Sequence, residues 1–284
     1  MNLTNKKIGA VFHDAGSANL GIYFLKKKKL KVKYNCQGPA LKILNNTFRK
    51  RVKNSNLKKL LESSEIVITG TSRNNKNEFY VRKYCRQKKI VNIAIIDHWT
   101  GYLKGFSYRS ELILPEYMYV FNKKSFLMAT KIFKNKVKIF KKKNYFEDFI
   151  ISKIKKKNKN SNNILYILEP FDGKFEFLAL DKFKEHLKKF RGKMNIKLKL
   201  HPSESKNKYK NWLKKNNSIG FSLVDEFDLS KSLSWADYVV GLESYMLVLA
   251  MKAKKKVFTL LPLNKKKFRL PFVKIQNIDK FKIL

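Results

Sequence analysis

Short apolar runs recur along this chain, and each is closed by a cluster of small or polar residues. The first is Lys7-Ile8-Gly9-Ala10-Val11-Phe12, closed by His13-Asp14-Ala15-Gly16-Ser17-Ala18-Asn19 and followed by the apolar stretch Leu20 to Leu25. That order predicts strand, small-residue turn and helix. Further strands are expected at 31–36, ended by Gly38-Pro39, at Ile66 to Ser72 and at Ile90 to Ile96, with a helix over Asn77 to Lys88. Tyr117 to Phe121 and Val137 to Phe140 are weaker strand candidates. Strands alternating with helices at this spacing indicate a parallel sheet with crossover helices.

Residues 153–163 have almost no apolar content and no periodicity, so they read as a linker. The pattern then restarts. Ile164 to Leu168, Ile196 to Leu200, Tyr238 to Gly241 and Val257 to Leu261 are expected strands; Leu178 to Phe190 and Tyr245 to Ala253 are expected helices. The reading is therefore an α/β protein of two Rossmann-like domains, 1–152 and 164–284, whose parallel sheets face a cleft. Ligands of such sheets sit at the carboxyl ends of the strands.

Composition narrows the class. With 44% apolar residues the chain is too hydrophobic for wholesale disorder, and no apolar run reaches the roughly 18–20 residues of a membrane span. The N-terminal residues turn polar again by His13, so no signal peptide is read, and a cytoplasmic chain is expected. Cys36 and Cys85 are too few for a disulfide framework or a four-cysteine zinc site. The net charge of +43 raises nucleic-acid binding. Yet the basic residues are 56 Lys and 8 Arg, spread along the whole length. Phosphate and base readout lean on the planar Arg fork, so the skew favours compositional bias and solvated faces over a dedicated nucleic-acid surface. Attraction to acidic membrane surfaces at low salt follows from the charge, which allows peripheral association at the inner membrane face.

Each notable polar cluster falls at a predicted strand end. Gly16 and Ser17 form a small-residue turn whose backbone can approach a ligand closely, the helix start after it offers N–H groups to an anion, and Asp14 beside them is a candidate acid or base. The same residues would serve an ordinary helix cap. Thr69-Gly70-Thr71-Ser72 is a second small-residue turn, with a capping hydroxyl as its plain reading. Asp97-His98-Trp99 sets acid/base capacity beside a stacking surface, the alternative being an Asp cap with packed rings. Glu169-Pro170-Phe171-Asp172-Gly173 places carboxylates in a loop. His201-Pro202 ends an alternating strand, where Pro202 stops the pairing. Glu243 and Ser244 open the most apolar helix, where N–H groups can hold a phosphate and a carboxylate can accept ribose hydroxyls; a plain N-cap needs the same residues. No metal-ligand spacing, cofactor fingerprint or serine-nucleophile elbow is present.

Together the His201-Pro202 strand end, the Gly241-Leu242-Glu243-Ser244 turn and the small-residue loop after the first strand resemble the GT-B architecture of nucleotide-sugar glycosyltransferases and of UDP-N-acetylglucosamine 2-epimerase. The Asp172-Gly173 turn, the His-Pro pair and Ser244 are similar to short motifs of bacterial sialyltransferases and polysialyltransferases, although Phe171 stands where those have a first acidic residue. The resemblance implies a metal-independent glycosyltransferase without a resident cofactor. It would use a CMP- or UDP-sugar donor and a glycan or lipid-linked acceptor in surface-polysaccharide synthesis. It implies Asp14, His98 or Asp172 as catalytic groups. Gly16, Ser17 and Asp97 would contact the acceptor, and His201, Pro202, Glu243 and Ser244 the donor. A nucleotide-sugar epimerase of the same fold, and a non-catalytic basic anion- or nucleic-acid-binding protein, are the rival readings.

Overall fold

The computed structural model describes residues 2–72, 75–155, 161–171, 173–189, 193–226 and 228–281. They divide into two compact units, up to Phe146 and from Glu147 onward.

The first unit runs β1 (Ile8–Phe12), α1 (Ala15–Lys27), β2 (Val32–Cys36), α2 (Pro39–Phe48), α3 (Leu57–Glu62), β3 (Ile66–Thr69), α4 (Asn77–Gln87), β4 (Val91–Ile95), β5 (Ser107–Tyr108), β6 (Glu111–Leu112), β7 (Tyr117–Val120), α5 (Lys123–Phe133) and β8 (Lys138–Lys141). Six of these strands form one sheet, ordered β2-β1-β3-β4-β7-β8, and every pairing in it is parallel. β1 and β3 are buried along their whole length, which is why they read as unbroken apolar runs. β5 and β6 make a small antiparallel hairpin turned by Arg109 and Ser110, both in the left-handed region.

The division falls within α6 (Tyr145–Lys153), and the second unit continues with β9 (Asn163–Ile167), α7 (Gly173–Leu187), β10 (Asn195–Lys199), α8 (Lys210–Lys215), β11 (Phe221–Val224), α9 (Leu229–Trp235), β12 (Tyr238–Gly241), α10 (Tyr245–Lys252), β13 (Lys256–Thr259) and β14 (Gln276–Asn277). Its sheet is ordered β11-β10-β9-β12-β13-β14, again parallel throughout. Its core is built on Tyr166, Phe183, Leu198, Val240 and Leu260.

Both sheets are Rossmann-like, as the alternating pattern predicts. Each has a switch point where consecutive crossovers leave in opposite directions, between β1 and β3 in the first unit and between β9 and β12 in the second. The sequence reading stopped at Gly38-Pro39 and passed over α2, although Ala40, Ile43, Leu44 and Thr47 recur at helical spacing and are buried. α7 starts earlier than its apolar stretch suggests, because its first turn is Gly173-Lys174-Phe175-Glu176. Of the segment read as a linker, 156–160 lies outside the described residues.

Candidate functional site

The switch point of the first unit is clasped by one buried carboxylate. Glu78, second residue of α4, is fully buried and accepts the backbone N–H of His13 at 3.0 Å and of Ser72 at 2.6 Å. The loops that leave β1 and β3 are thereby tied to each other. Burial pushes the Glu78 carboxyl up to about 7, against the pull of these hydrogen bonds and of Arg82. Arg82, one turn further along α4, is itself buried and donates to the carbonyls of Gly70 at 3.0 Å and Gly105 at 2.7 Å. Gly70 has no room for a side chain: a Cβ there would lie 2.3 Å from Ser17 Oγ and 2.6 Å from Glu78 Oε1.

Around this clasp the structure gathers several of the expected residues. His13 Nδ1 and Asp14 Oδ1 are 2.7 Å apart, and 40% of the Asp14 side chain is exposed. Asp14 is the N-cap residue of α1 by position, yet it makes no side-chain cap hydrogen bond. Ser17 is fully buried beneath the loop, its hydroxyl 3.5 Å from the Asp14 carbonyl. Asp97, at the end of β4, reaches across to the first turn of α1, where a Cβ on Gly16 would sit 2.0 Å from its Oδ2. Thr71 Oγ1 donates to Asp97 Oδ1 at 3.5 Å. His98 is held on its own turn: its Nδ1 accepts the Thr100 N–H at 3.3 Å and lies 2.9 Å from Thr100 Oγ1. Trp99 packs against it and donates to Asn122 Oδ1 at 3.2 Å.

The second unit solves the same problem differently. Glu169 follows β9 and is buried. A single oxygen, Oε1, accepts the N–H groups of Leu242 at 2.9 Å, Glu243 at 2.9 Å and Ser244 at 3.0 Å. These are the N–H groups at the start of α10 that the sequence reading reserved for a phosphate; a carboxylate of the chain itself fills them. Burial pushes Glu169 up to about 7 even against three hydrogen bonds, and Glu243 beside it adds to the rise. Ser244 is an N-cap, its hydroxyl accepting the Met246 N–H at 3.2 Å. Glu176, in the first turn of α7, accepts the Glu169 N–H at 3.3 Å, and burial pushes it up to about 8.

Glu243 is buried under two cations. Arg269 grips it through Nε at 3.1 Å and through Nη2, and Lys266 Nζ stands 3.5 Å away. The same Lys266 lies 3.1 Å from the centroid of the Phe171 ring and 5.0 Å from that of Phe175. Burial lowers the Lys266 ammonium, while its bond to Glu243 raises the Arg269 guanidinium. His201, after β10, has Ser203 Oγ 2.7 Å from its Nδ1, which also accepts the Ser203 N–H at 3.2 Å; Pro202 between them is exposed. β10, β9 and β12 are neighbours, so His201, Glu169 and Glu243 share one edge of the sheet. Asp172 lies outside the described residues. Among the described residues no group of three or more His, Cys, Asp or Glu could hold a metal ion, and no helix is long and apolar enough to cross a membrane.

Sequence reasoning missed Glu78, Glu176, Arg82, Lys266 and Arg269, and saw Glu169 only as a loop carboxylate. A glutamate in the first turn of a helix ordinarily faces solvent and the helix dipole, and nothing local marks the two that turn inward. Lys266 and Arg269 sit in a basic stretch that looks like every other basic stretch of this chain.

No protein-family model matches the sequence, and no curated protein matches it. Solved structures share its fold. The UDP-GlcNAc 2-epimerase from Neisseria meningitidis, crystallised bound to UDP-GlcNAc, aligns over 92% of this chain and 84% of its own with a TM-score of 0.66 at 13% identity. The UDP-GlcNAc 2-epimerase from Methanocaldococcus jannaschii aligns over 89% and 83% with a TM-score of 0.57 at 11% identity. A glycosyltransferase from Rickettsia africae aligns over 90% and 79% with a TM-score of 0.51 at 14% identity. The chain thus has the fold of the GT-B and UDP-GlcNAc 2-epimerase-like superfamily, as its strand-end motifs suggest.

Proposed function

We propose that this chain is a glycosyltransferase that takes a nucleotide-activated sugar, a CMP- or UDP-sugar, for the synthesis of a surface glycan or polysaccharide. The observation that carries the reading is the concentration of polar groups at the two switch points, where sheets of this type bind ligands. In this reading the edge bearing His201, Pro202, Glu243 and Ser244 receives the donor. The edge bearing Asp14, Gly16 and Asp97 receives a glycan or lipid-linked acceptor, with Ser17, expected there from the sequence, packed beneath it. The acceptor hydroxyl attacks the anomeric carbon, the bond from that carbon to the phosphate oxygen breaks, and the hydroxyl proton passes to a carboxylate or imidazole. Asp14 suits that role, since His13 lies at 2.7 Å to orient it and share the proton; His98 and Asp172 are the other proposed bases. Charge growing on the departing phosphate is met by fixed positive groups of the donor edge. Work at the inner face of a membrane suits the basic charge.

Epimerisation is the second reading, favoured by the TM-score of 0.66 to an epimerase holding UDP-GlcNAc. Incubating the chain with UDP- and CMP-sugars, with and without a glycan acceptor, separates the two. Nucleotide release that requires acceptor supports the transferase, and Asp14→Asn should then slow turnover by roughly 10²–10⁴-fold. Conversion of the sugar without acceptor supports the epimerase. A folded chain that does neither contradicts both.

A further inference from the structure

The N–H groups that open α10 are the natural cradle for a phosphate at this switch point, and here Glu169 fills all three. Glu169 is buried, so this carboxylate is part of the floor of the site. Above it two cations, Lys266 and Arg269, share one carboxylate, Glu243. Glu243 is only 5% exposed, whereas the Arg269 side chain is 51% exposed and that of Lys266 is 24% exposed. A solute arriving at this edge therefore meets the cations before it meets the carboxylate. Phe171 and Phe175 bear on Lys266 and limit where its ammonium can go.

We propose that Lys266 and Arg269 are the phosphate-binding groups of the donor site, and that Glu169 is a positioning residue which takes the α10 N–H groups in the phosphate's stead. The assignment rests on the nucleotide-sugar reading and adds to it which atoms receive the phosphate. An Arg fork and a Lys ammonium make charge-assisted hydrogen bonds to phosphate oxygens. Glu243 serves as the tether that holds both cations at the edge of β12. The departing phosphate of a donor would thus be neutralised by side chains rather than by backbone N–H groups.

The test compares UDP and CMP with the phosphate-free uridine and cytidine in binding titrations of the full chain. Lys266→Met keeps the stem and removes the charge; Arg269→Gln removes the fork. Each should weaken UDP or CMP at least about tenfold, flatten the salt dependence of binding and leave the nucleosides unchanged. Glu169→Gln keeps the oxygen that accepts the three N–H groups and should leave nucleotide affinity within about threefold. The assignment is overturned if Lys266→Met and Arg269→Gln bind UDP and CMP as the wild type does. It is equally overturned if Glu169→Ala, which bares the N–H groups, binds them much more tightly. Absence of nucleotide binding by the folded wild-type chain would instead remove the underlying nucleotide-sugar reading. Thermal melts of every variant report whether a loss is one of folding, and Arg269→Lys, which keeps the charge, should recover part of the affinity.

Discussion

The two units use one topology and treat its switch point in opposite ways. In the first, a carboxylate from a helix, Glu78, ties the loops after β1 and β3 from below, and α1 begins at Asp14 with no side-chain cap bond. In the second, a carboxylate from the loop itself, Glu169, is driven into the start of α10, and Ser244 caps that helix as well. The difference teaches where each unit keeps its reactive groups. The first leaves its carboxylates, Asp14 and Asp97, around a helix start that Gly16 keeps narrow; the second saturates its helix start and presents side-chain cations instead. In the proposed reading Asp14 on the first unit is the base and the cations of the second unit receive the anion.

Removing the clasps should separate the units most sharply. Glu169→Ala orphans three buried N–H groups and should cost roughly 3–5 kcal/mol, more than Glu78→Ala, which orphans two. Chemical denaturation of each variant checks the order, and a smaller cost for Glu169→Ala would break the comparison. The same carboxyls set a pH dependence. Glu78 and Glu169 are raised to about 7 and Glu176 to about 8, from ordinary values near 4.5. Between about pH 4.5 and 8 the unfolded chain has lost protons that the folded chain still holds, so stability should fall as pH rises through that window. Urea midpoints from pH 5 to 8 measure this. Glu78→Gln and Glu169→Gln should each flatten the slope, and a midpoint rising with pH would contradict the burial argument.

These carboxylates also mark the limit of what the sequence discloses. The strands β1, β3, β4, β9 and β12 are legible because they are buried almost throughout and mostly apolar. The polar strand ends are legible because the chain punctuates each run with Gly, Ser, His or Asp. β11 and α9 are not, since Phe221–Val224 is only half-buried and Leu229–Trp235 carries three Ser and a Lys. The clasps are invisible for a different reason. Whether Glu78 faces water or the loop after β1 depends on a residue 65 positions away, and a single sequence holds no trace of that pairing.

Smaller substitutions probe the helix starts. Gly16→Ala sets a Cβ against Asp97 and should cost about 1–3 kcal/mol, whereas Gly173→Ala, with nothing within 4 Å, should cost nothing measurable or stabilise α7 slightly. Ser244→Ala removes a cap and should cost about 1 kcal/mol. Asp14→Ala removes none, so its stability should change by less than about 0.5 kcal/mol while any transferase turnover falls by roughly 10²–10⁴-fold. Thermal melts of the four variants give the ranking.

The proposed reading, that the strand edge of the second unit receives a nucleotide-sugar, is tested most directly by calorimetric titration of the folded chain with UDP-GlcNAc and with a CMP-linked sugar. The account predicts saturable one-site binding of at least one of them, weakened by Lys266→Met. A folded chain that shows no saturable heat with either, and that instead binds any polyanion with steep salt dependence, would contradict it.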